Sequence, residues 1–233
     1  MRSSRGAQIA SWLVLFVLAG CGGGDKSTKP IVPSDGLPAG TPAANSQAHL
    51  TQRLEATLES MVEAEYAKLL ADDFRYRFSV ANDPLLVDQY PNWGRTDEIA
   101  ALTHLFNGFT NTNHDVIPGA GSIHLSLNGV EYQADPSHED STAQYGRVII
   151  TSLDGQIEVP AVSEPIVFAI SSRHELFVVR GDAAVLPAGI LADSTRWYLR
   201  RWDDLATPIG YSKKPVLNSA QAISFGSIRA LWR

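Results

Sequence analysis

Three side chains could do acid–base chemistry, and they lie far apart in the sequence: Glu65, Tyr76 and His124. Glu65 shares one side of a helical pattern with apolar residues, and burial there would raise its pKa and make it a pocket acid. His124 lies between Ile123 and Leu125 in a strand-like stretch, so it points to the opposite face from both. On a face that lines a pocket it could shuttle a proton, whereas on the outer face it would be solvated.

Each of these interpretations has a structural alternative. If the buried side of the helix turns toward Tyr66 and Leu70, Glu65 lies at the rim of that helix, where glutamates are usually found. His104 lies in the best-defined helical stretch but falls opposite its apolar stripe, so we expect it to face solvent. The catalytic candidates therefore remain Glu65, Tyr76 and His124.

Other chemical motifs are weak. The segment "HED" at 138–140 and the pair His114-Asp115 lie in loop-like stretches, and the sequence has no His-x-x-x-His pair on a helix and no cysteine placed as a ligand. It also has no Gly-x-Ser-x-Gly elbow and no glycine-rich phosphate loop before a helix. We predict no metal and no cofactor, and these absences argue against hydrolases, kinases and dinucleotide enzymes.

The charge of the chain argues against nucleic acid as a partner. The formal net charge is −6 at pH 7, and a phosphate-binding face needs clustered lysine and arginine. The nearest approach to such a cluster is Arg196, Arg200 and Arg201, which Asp203 and Asp204 follow directly. We therefore predict no nucleic-acid partner.

The N-terminus has the pattern of a secretory signal. Arg2 and Arg5 make it basic, and a mostly apolar run from Ile9 to Leu18 follows. The only cysteine, Cys21, comes directly after this run, and Leu18-Ala19-Gly20-Cys21 resembles the lipobox of bacterial lipoproteins. A buried core cysteine or a stray free thiol are the alternatives, and neither fits this position because nothing around Cys21 could form a core.

The lipobox resemblance implies cleavage before Cys21 and acylation of that cysteine with chains such as palmitate. Several acyl chains would hold the protein on a lipid bilayer, so we expect a lipid-anchored protein of the bacterial cell envelope. Gly22 stands where inner-membrane lipoproteins carry Asp, which favours the outer membrane in a cell with two membranes. The predicted division is residues 1–20 as signal peptide, 21–47 as lipidated flexible linker and 48–233 as a single domain, because 22–47 is rich in Gly, Pro, Ser and Thr.

Two helices are predicted early in the domain. The first has apolar residues at spacings of three and four, and we expect it to run on to Leu70. The second lies in "RTDEIAALTHLFNG", where Thr96 could cap its start and Gly108 could end it. The first helix is marked by Leu50, Leu54, Leu58, Met61 and Val62, and the apolar face of the second is formed by Ile99, Leu102, Leu105 and Phe106.

Strands follow the helices, which predicts an α+β fold with a mainly antiparallel sheet. In "FRYRFSV", from Phe74 to Val80, aromatic and apolar residues alternate with arginines, the pattern of a half-buried strand. Asn128-Gly129 and Asp154-Gly155 are candidate hairpin turns. In "RWYLRRW" the alternation places Trp197 and Trp202 on opposite faces. The remaining strand-like runs are "SIHLSL", "VEYQA", "GRVIITSL", "IVFAI" and "ELFVVR".

Four stretches, together with this order of elements, resemble the nuclear-transport-factor-two-like superfamily, which includes the SnoaL-like and ketosteroid-isomerase-like proteins. They are "YAKLLADDFRYRF" (66–78), "WGRTDEIAALTHLF" (93–106), "RWYLRRWDDL" (196–205) and "SFGSIRALWR" (224–233). The resemblance implies a cone-shaped, cystatin-like arrangement in which a strongly curved sheet wraps the long N-terminal helix and leaves a pocket. We expect its aromatic lining to be Tyr66, Phe74, Trp93 and Trp197, with core packing as the alternative for aromatic residues.

These patterns lead to one hypothesis and two alternatives. The leading hypothesis is an envelope lipoprotein whose domain is a non-enzymatic module that binds a small apolar ligand or an envelope protein. The first alternative is a SnoaL- or isomerase-like enzyme that acts on a small apolar substrate, with Glu65, Tyr76 or His124 in the pocket. The second is a homodimer formed through the outer face of the sheet. Two of the candidate polar groups on one cavity would favour the enzyme.

Overall fold

The computed structural model describes residues 35–80, 84–141, 143–161, 164–181, 193–205 and 221–233. Residues 35–233 form one compact unit. Its helices are α1 (Gln47–Glu59), α2 (Glu63–Ala67), α3 (Pro84–Gln89), α4 (Arg95–Asn107) and α5 (Phe225–Leu231). Its strands are β1 (Leu70–Arg77), β2 (Phe109–Thr110), β3 (Val116–Ile117), β4 (Ser122–Ala134), β5 (Tyr145–Val159), β6 (Ile166–Arg180), β7 (Trp197–Asp204) and β8 (Gln221–Ile223).

The main sheet has the strand order β1-β7-β6-β5-β4, and β8 pairs with β6. The pairs β4–β5, β5–β6 and β6–β7 are antiparallel, whereas β1–β7 and β6–β8 are parallel. Helices α1, α4 and α5 share one hydrophobic core with the large strands. The predicted α+β class with a mainly antiparallel sheet is confirmed, and the sheet has a core face toward the helices and an outer face turned away from them.

The N-terminal helix is shorter than predicted. Ser46 caps its start by accepting a hydrogen bond from the backbone N–H of His49 at 3.1 Å. The helix ends at Glu59 because the backbone of Met61 takes a φ of +53°, a left-handed conformation that side-chain-bearing residues rarely adopt. A separate short helix, α2, follows, and Leu70 already belongs to β1.

The segment before α1 packs on the domain, although the sequence places it in the linker. Leu37 and Ala44 are buried, and Arg53 on α1 binds the carboxylate of Asp35 at 2.6 Å. The packed unit therefore starts at Asp35, about a dozen residues before the predicted boundary at residue 48.

The sheet strands are longer than predicted, because both candidate turns lie inside strands. Gly129 is within β4, where its backbone takes a φ of +59° while the register with β5 is the same on both sides of it. Gly155 is within β5 and pairs with Leu125 on one side and Ile170 on the other. The runs predicted as separate strands thus join in pairs into β4, of 13 residues, and β6, of 15 residues, while β5 extends a single predicted run to 15 residues.

Strand β1 follows its predicted alternation up to Phe78. Phe74, Tyr76 and Phe78 are buried, and the arginines between them are exposed. Val80 departs from the pattern, because the strand ends at Arg77 and leaves the Val80 side chain 71% exposed.

In β7 the predicted faces are wrong after Leu199. Phe177 pairs with Arg201 and Val178 pairs with Leu199, so Arg200 is an extra residue, a β-bulge. The bulge shifts the alternation by one residue, and Trp202 therefore joins Trp197 in the same hydrophobic core.

The carboxylates of α1 cover the free edge of the sheet. Glu59 accepts a hydrogen bond from the backbone N–H of Leu125 at 2.9 Å, and Glu55 accepts one from Leu127. Both strand residues belong to β4, which is the outermost strand on that side. Burial, together with the neighbouring Glu59, raises the pKa of Glu55.

Candidate functional site

Polar side chains meet in the interior between the helices and the core face of the sheet. At their centre is Glu98 on α4, whose carboxylate accepts hydrogen bonds from the hydroxyl of Tyr66 at 2.6 Å and from the indole N–H of Trp93 at 2.8 Å. Arg229 on α5 donates its Nε–H to the same carboxylate at 2.7 Å. The side chains of Glu98 and Arg229 are both 0% exposed, so the ion pair is closed off from solvent.

Aromatic rings enclose the guanidinium of Arg229. Its central carbon lies 3.9 Å from the ring centroid of Phe225, 4.3 Å from that of Trp202 and 4.5 Å from that of Tyr76. Burial alone would lower the pKa of Arg229, but the carboxylate of Glu98 outweighs that effect and raises it. The hydroxyls of Tyr66 and Tyr76 are buried beside carboxylates, which raises the pKa of both. These groups hold their charge states tightly and fill the interior.

A serine, a histidine and an aspartate also meet in this interior, in an arrangement like that of a hydrolase triad. Ser172 Oγ lies 2.6 Å from His174 Nε2, and Asp204 Oδ1 lies 4.0 Å from His174 Nδ1. However, Trp202 donates its indole N–H to Nδ1 at 3.0 Å. Nδ1 is therefore the acceptor and Nε2 carries the proton, so His174 donates to Ser172 and cannot act as its base.

Burial strengthens this conclusion about His174. Its side chain is fully buried, and desolvation together with the nearby charge of Arg229 lowers its pKa from 6.5 to about 3. A histidine in this state stays neutral through the physiological range. The cluster of Ser172, His174 and Trp202 is therefore a structural hydrogen-bond network.

Glu65, the candidate pocket acid, is held in ion pairs. It is 7% exposed on α2, where it binds Arg53 at 2.6 Å and Lys68 at 2.5 Å. Burial would raise its pKa, but the hydrogen bonds from Lys68 and Arg53 outweigh burial and lower it. Glu65 borders a crevice of about 20 Å³, which is too small for a ligand.

The other two catalytic candidates lie in different surroundings. Tyr76 is buried in the interior and donates to Asp204 at 3.3 Å, whereas His124 is exposed on β4. The structure therefore places Glu65, Tyr76 and His124 in three separate environments. The predicted ligand-pocket residues Tyr66, Phe74, Trp93 and Trp197 are all buried within the core.

His104 does not face solvent as the sequence predicts. It is half-buried on α4, its Nδ1 lies 2.8 Å from the backbone oxygen of Trp232, and its ring stacks on Phe109. The C-terminal residues after α5 cover this side of α4, and a contact so distant in sequence leaves no trace in the helical periodicity.

A cleft of about 320 Å³ opens on the outer face of the sheet. Four of its lining residues are arginines, contributed in pairs by two neighbouring strands, β1 and β7. The full lining is Asp73, Arg75, Arg77, Asp135, Ser137, His138, Tyr145, Phe177, Val178, Arg200 and Arg201. Its volume is at the lower end of the range for small-molecule sites.

Two features of the backbone bring the four arginines together. Arg75 and Arg77 are two residues apart in β1, and strand geometry places them on the same face. Arg200 and Arg201 are adjacent and would ordinarily point to opposite faces, but the bulge at Arg200 lets both line the cleft. Pairing then sets Arg201 beside Arg75 and Phe177 in one row across three strands.

Two of the arginines form ion pairs, whereas Arg77 interacts at longer range with Asp203, its partner in the pairing of β1 with β7. Arg200 binds Asp73 at 2.8 Å and Arg201 lies 3.0 Å from Asp203. Burial raises the pKa of Asp203. Arg75 donates to the backbone oxygen of Phe74, and no described carboxylate lies within ion-pair distance of Arg75 or Arg77.

Aromatic rings support the paired arginines. The guanidinium of Arg201 lies 3.5 Å from the ring centroid of Phe177, and that of Arg200 lies 5.8 Å from the ring centroid of Tyr145. His138 stacks on Tyr145 with a centroid distance of 3.9 Å and bonds to Asp135. The cleft thus has a fixed wall of stacked and paired groups, beside which the two unpaired arginines stand exposed.

Comparison with known proteins gives only distant similarities. No protein-family model matches the sequence, and no curated protein is significantly similar to it. One similar structure is an NTF2-like protein of unknown function in nutrient uptake from Rhodospirillum rubrum, with 12% identity and a TM-score of 0.40 over 70% of this chain and 98% of that one. Another is a variant of a protein of unknown function from Mycobacterium tuberculosis, with 10% identity and a TM-score of 0.41 over 80% of this chain and 82% of that one.

The described residues contain neither a metal-binding cluster nor a membrane-spanning helix. Within the described ranges, no three His, Cys, Asp or Glu side chains are grouped so that they could hold a metal ion. No helix in the same part of the chain has the length and apolarity needed to cross a bilayer. Cys21, the predicted lipidation site, lies outside the described residues.

Sequence reasoning missed the two arrangements that dominate the structure, and the sequence signal for one of them was stronger than for the other. Glu98 precedes Leu102 by four residues and Leu105 by seven, so helical periodicity already places it on the apolar face. For the cleft the sequence showed only the short cluster that contains Arg200 and Arg201, because the full site depends on strand register and on the bulge at Arg200.

Proposed function

We propose that this protein is a non-catalytic binding module, tethered to the bacterial envelope, whose ligand site is the outer-face cleft. One observation carries the proposal: the cleft presents four arginines around an open volume of about 320 Å³, whereas the interior is filled by the Glu98–Arg229 ion pair and its aromatic rings. Ligand sites are concave and carry a few convergent polar groups, and the cleft fits that description. Its lining supports a polar ligand in place of the apolar one expected from the sequence.

The positions of the candidate catalytic residues favour binding over catalysis. A SnoaL- or isomerase-like enzyme that acts on an apolar substrate would need two of these residues on one cavity. Glu65 is engaged by Arg53 and Lys68, and His124 is exposed on β4. Tyr76 is enclosed beside Arg229. The order of helices before sheet supports assigning the domain to the nuclear-transport-factor-two-like superfamily, a fold that serves many functions.

The test is to map binding by nuclear magnetic resonance with a mixture of small neutral and charged fragments. We expect the backbone signals of Tyr145, Phe177 and Arg201 to shift, because these residues line the cleft. The signals of Tyr66 and Trp93 should stay fixed, because both are buried in the packed interior. Shifts concentrated on Tyr66 and Trp93 would overturn the proposal, and so would the absence of shifts at the cleft.

The tether is the second part of the proposal, and it rests on the lipobox ending at Cys21. We expect the full chain expressed in a bacterium to fractionate with membranes, in the outer membrane if there are two. Mass spectrometry of the N-terminal peptide should show cleavage before Cys21 and acyl chains on that residue, and a Cys21→Ala variant should carry none. An unmodified Cys21 in the membrane-bound protein would contradict the anchor.

A homodimer through the outer face is the competing arrangement. It would cover the cleft and leave no room there for a ligand. The mass of the acyl-free protein in solution shows whether a dimer forms. If it does, the binding proposal still expects fragments to reach the cleft at the concentrations where the dimer is present.

A further inference from the structure

The cleft carries positive charge that the protein itself does not neutralise. Four arginines and two aspartates line it, and a third carboxylate, Asp203, pairs with Arg201, which leaves a net charge of +1 when His138 is neutral. The chain as a whole has a net charge of −6, so this is a local reversal of sign. Surface arginines are often simply solvated. These four differ because they all line one cleft.

The two unpaired guanidinium groups are neighbours. Arg75 and Arg77 project from the same face of β1, and successive residues on one face of a strand are about 7 Å apart at their Cα atoms. At that spacing two planar guanidinium groups can approach one ligand group from two sides. Guanidinium forks bind oxyanions through parallel N–H···O bonds, which suits phosphate and carboxylate geometry.

The wall beside these two groups is already ordered. Arg201 stacks on Phe177 and lies beside Asp203, while Arg200 is fixed by Asp73. Groups that are held before the ligand arrives lose little conformational freedom on binding. Bulges are often found where a strand redirects side chains into a functional site, and the bulge at Arg200 does this here.

From this geometry we infer that the cleft binds a phosphate monoester group and that Arg75 and Arg77 are its ligand-binding residues. Such a group carries close to two negative charges at neutral pH on three acceptor oxygens, which suits two exposed guanidinium groups that form no ion pair within the described protein. The inference rests on the proposed function and specifies its ligand class. The monoester can belong to a soluble phosphorylated metabolite or to a lipid headgroup, since both present the same chemistry.

The test uses the full chain carrying Cys21→Ser, so that acyl chains do not mask binding to lipid. Calorimetric titration with glycerol 3-phosphate measures the soluble form of the ligand, with inorganic phosphate and uncharged glycerol as comparisons. Sedimentation with phosphatidylcholine vesicles, with and without phosphatidic acid, measures the lipid form. The key variant is Arg75→Gln/Arg77→Gln, and the matched control is Arg173→Gln, an exposed arginine of β6 outside the cleft.

We expect glycerol 3-phosphate to bind and glycerol not to bind, with affinity falling as salt is added. Loss of both guanidinium groups should weaken binding at least about tenfold, since hydrogen bonds to charged groups are the strong ones. Arg173→Gln should bind like the parent. Capture by phosphatidic acid vesicles alone assigns the headgroup as the source, and binding in solution alone assigns a metabolite.

Failure of this inference can be told apart from failure of the proposed function. If neutral fragments occupy the cleft while phosphate compounds do not bind, or bind the double variant as well as the parent, the phosphate assignment is wrong and the binding module stands. If nothing occupies the cleft, both are wrong. An equal loss of affinity in Arg173→Gln would show that the effect comes from net charge alone, and it would also overturn the assignment.

Discussion

The interior and the outer cleft both set arginines against aromatic rings, but they use them in opposite ways. In the interior, Arg229 is 0% exposed, its charge is matched by Glu98, and three rings close around it. In the cleft, Arg75 and Arg77 are exposed on an open strand face without a carboxylate partner among the described residues. The same side-chain type is thus a core component in one region and an available binding group in the other.

Desolvation explains the difference. A buried guanidinium must be paired, because an isolated buried charge costs several kcal/mol, and so Glu98 is committed to Arg229. An exposed guanidinium keeps its hydration and can remain unpaired until a ligand replaces the water. Variants in the two regions should therefore separate stability from binding.

The largest expected effect is that of Glu98→Ala. It leaves Arg229 buried without its carboxylate and removes the acceptor of Tyr66 and Trp93. We expect the free energy of unfolding to fall by about 3–5 kcal/mol, measured by urea denaturation. Asp97→Ala is the matched control, because its ion pair with Arg233 is partly exposed, and it should cost about 1 kcal/mol or less. Equal losses in both variants would show that the interior pair is no more critical than a surface one.

The next effect is a dependence of stability on pH that comes from His174. Its folded pKa of about 3 is below the value of 6.5 for the free side chain, so the unfolded chain takes up a proton that the folded protein excludes. The contribution of His174 to the free energy of unfolding is therefore fully present above pH 6.5 and is lost as the pH falls toward 3. Between about pH 8 and pH 5 the loss should be about 2 kcal/mol.

The variant His174→Gln isolates this contribution. Carboxylates whose pKa the fold lowers, such as Glu65, start from 4.5 in the unfolded chain and contribute at lower pH. The slope of unfolding free energy against pH between 6.5 and 5 should thus disappear in His174→Gln, even if the variant is less stable throughout. A slope that persists in the variant would show that groups other than His174 cause the pH dependence.

The smallest expected effect on stability belongs to the cleft. Arg75→Gln/Arg77→Gln removes exposed groups that form no ion pair with a described carboxylate, and we expect the free energy of unfolding to stay within about 0.5 kcal/mol of the parent. Urea denaturation of the two proteins side by side measures this. A large loss would mean that the arginines support the fold, and the contrast between the two regions would disappear.

More of the fold than of the candidate site could be predicted from the sequence. Local patterns were sufficient for the helix around Leu102 and Leu105, for its end at Gly108, and for the buried face of β1. They were insufficient at Met61, where a left-handed residue breaks a periodic helix, and at Gly129, which lies inside a strand. A glycine between apolar residues looks the same in the sequence whether it lies in a turn or inside a strand. Only the pairing of β4 with β5 shows that Gly129 lies inside a strand.

The cleft shows why site prediction failed. Its key step is the bulge at Arg200, which is defined by the pairing of β7 with β6 and has no sequence mark of its own. The same shift moved Trp202 into the core beside Trp197. One extra residue thus determined both the core and the charge of the outer face.

The β4 edge of the sheet matters when protein molecules are crowded together. An open strand edge recruits strands from other molecules, and proteins concentrated on one surface would meet edge to edge often. On β4 the backbone N–H of Leu125 is already taken by Glu59, and Glu55 takes that of Leu127. Helix α1 therefore occupies two backbone donors that a strand from another molecule would need in order to pair at this edge.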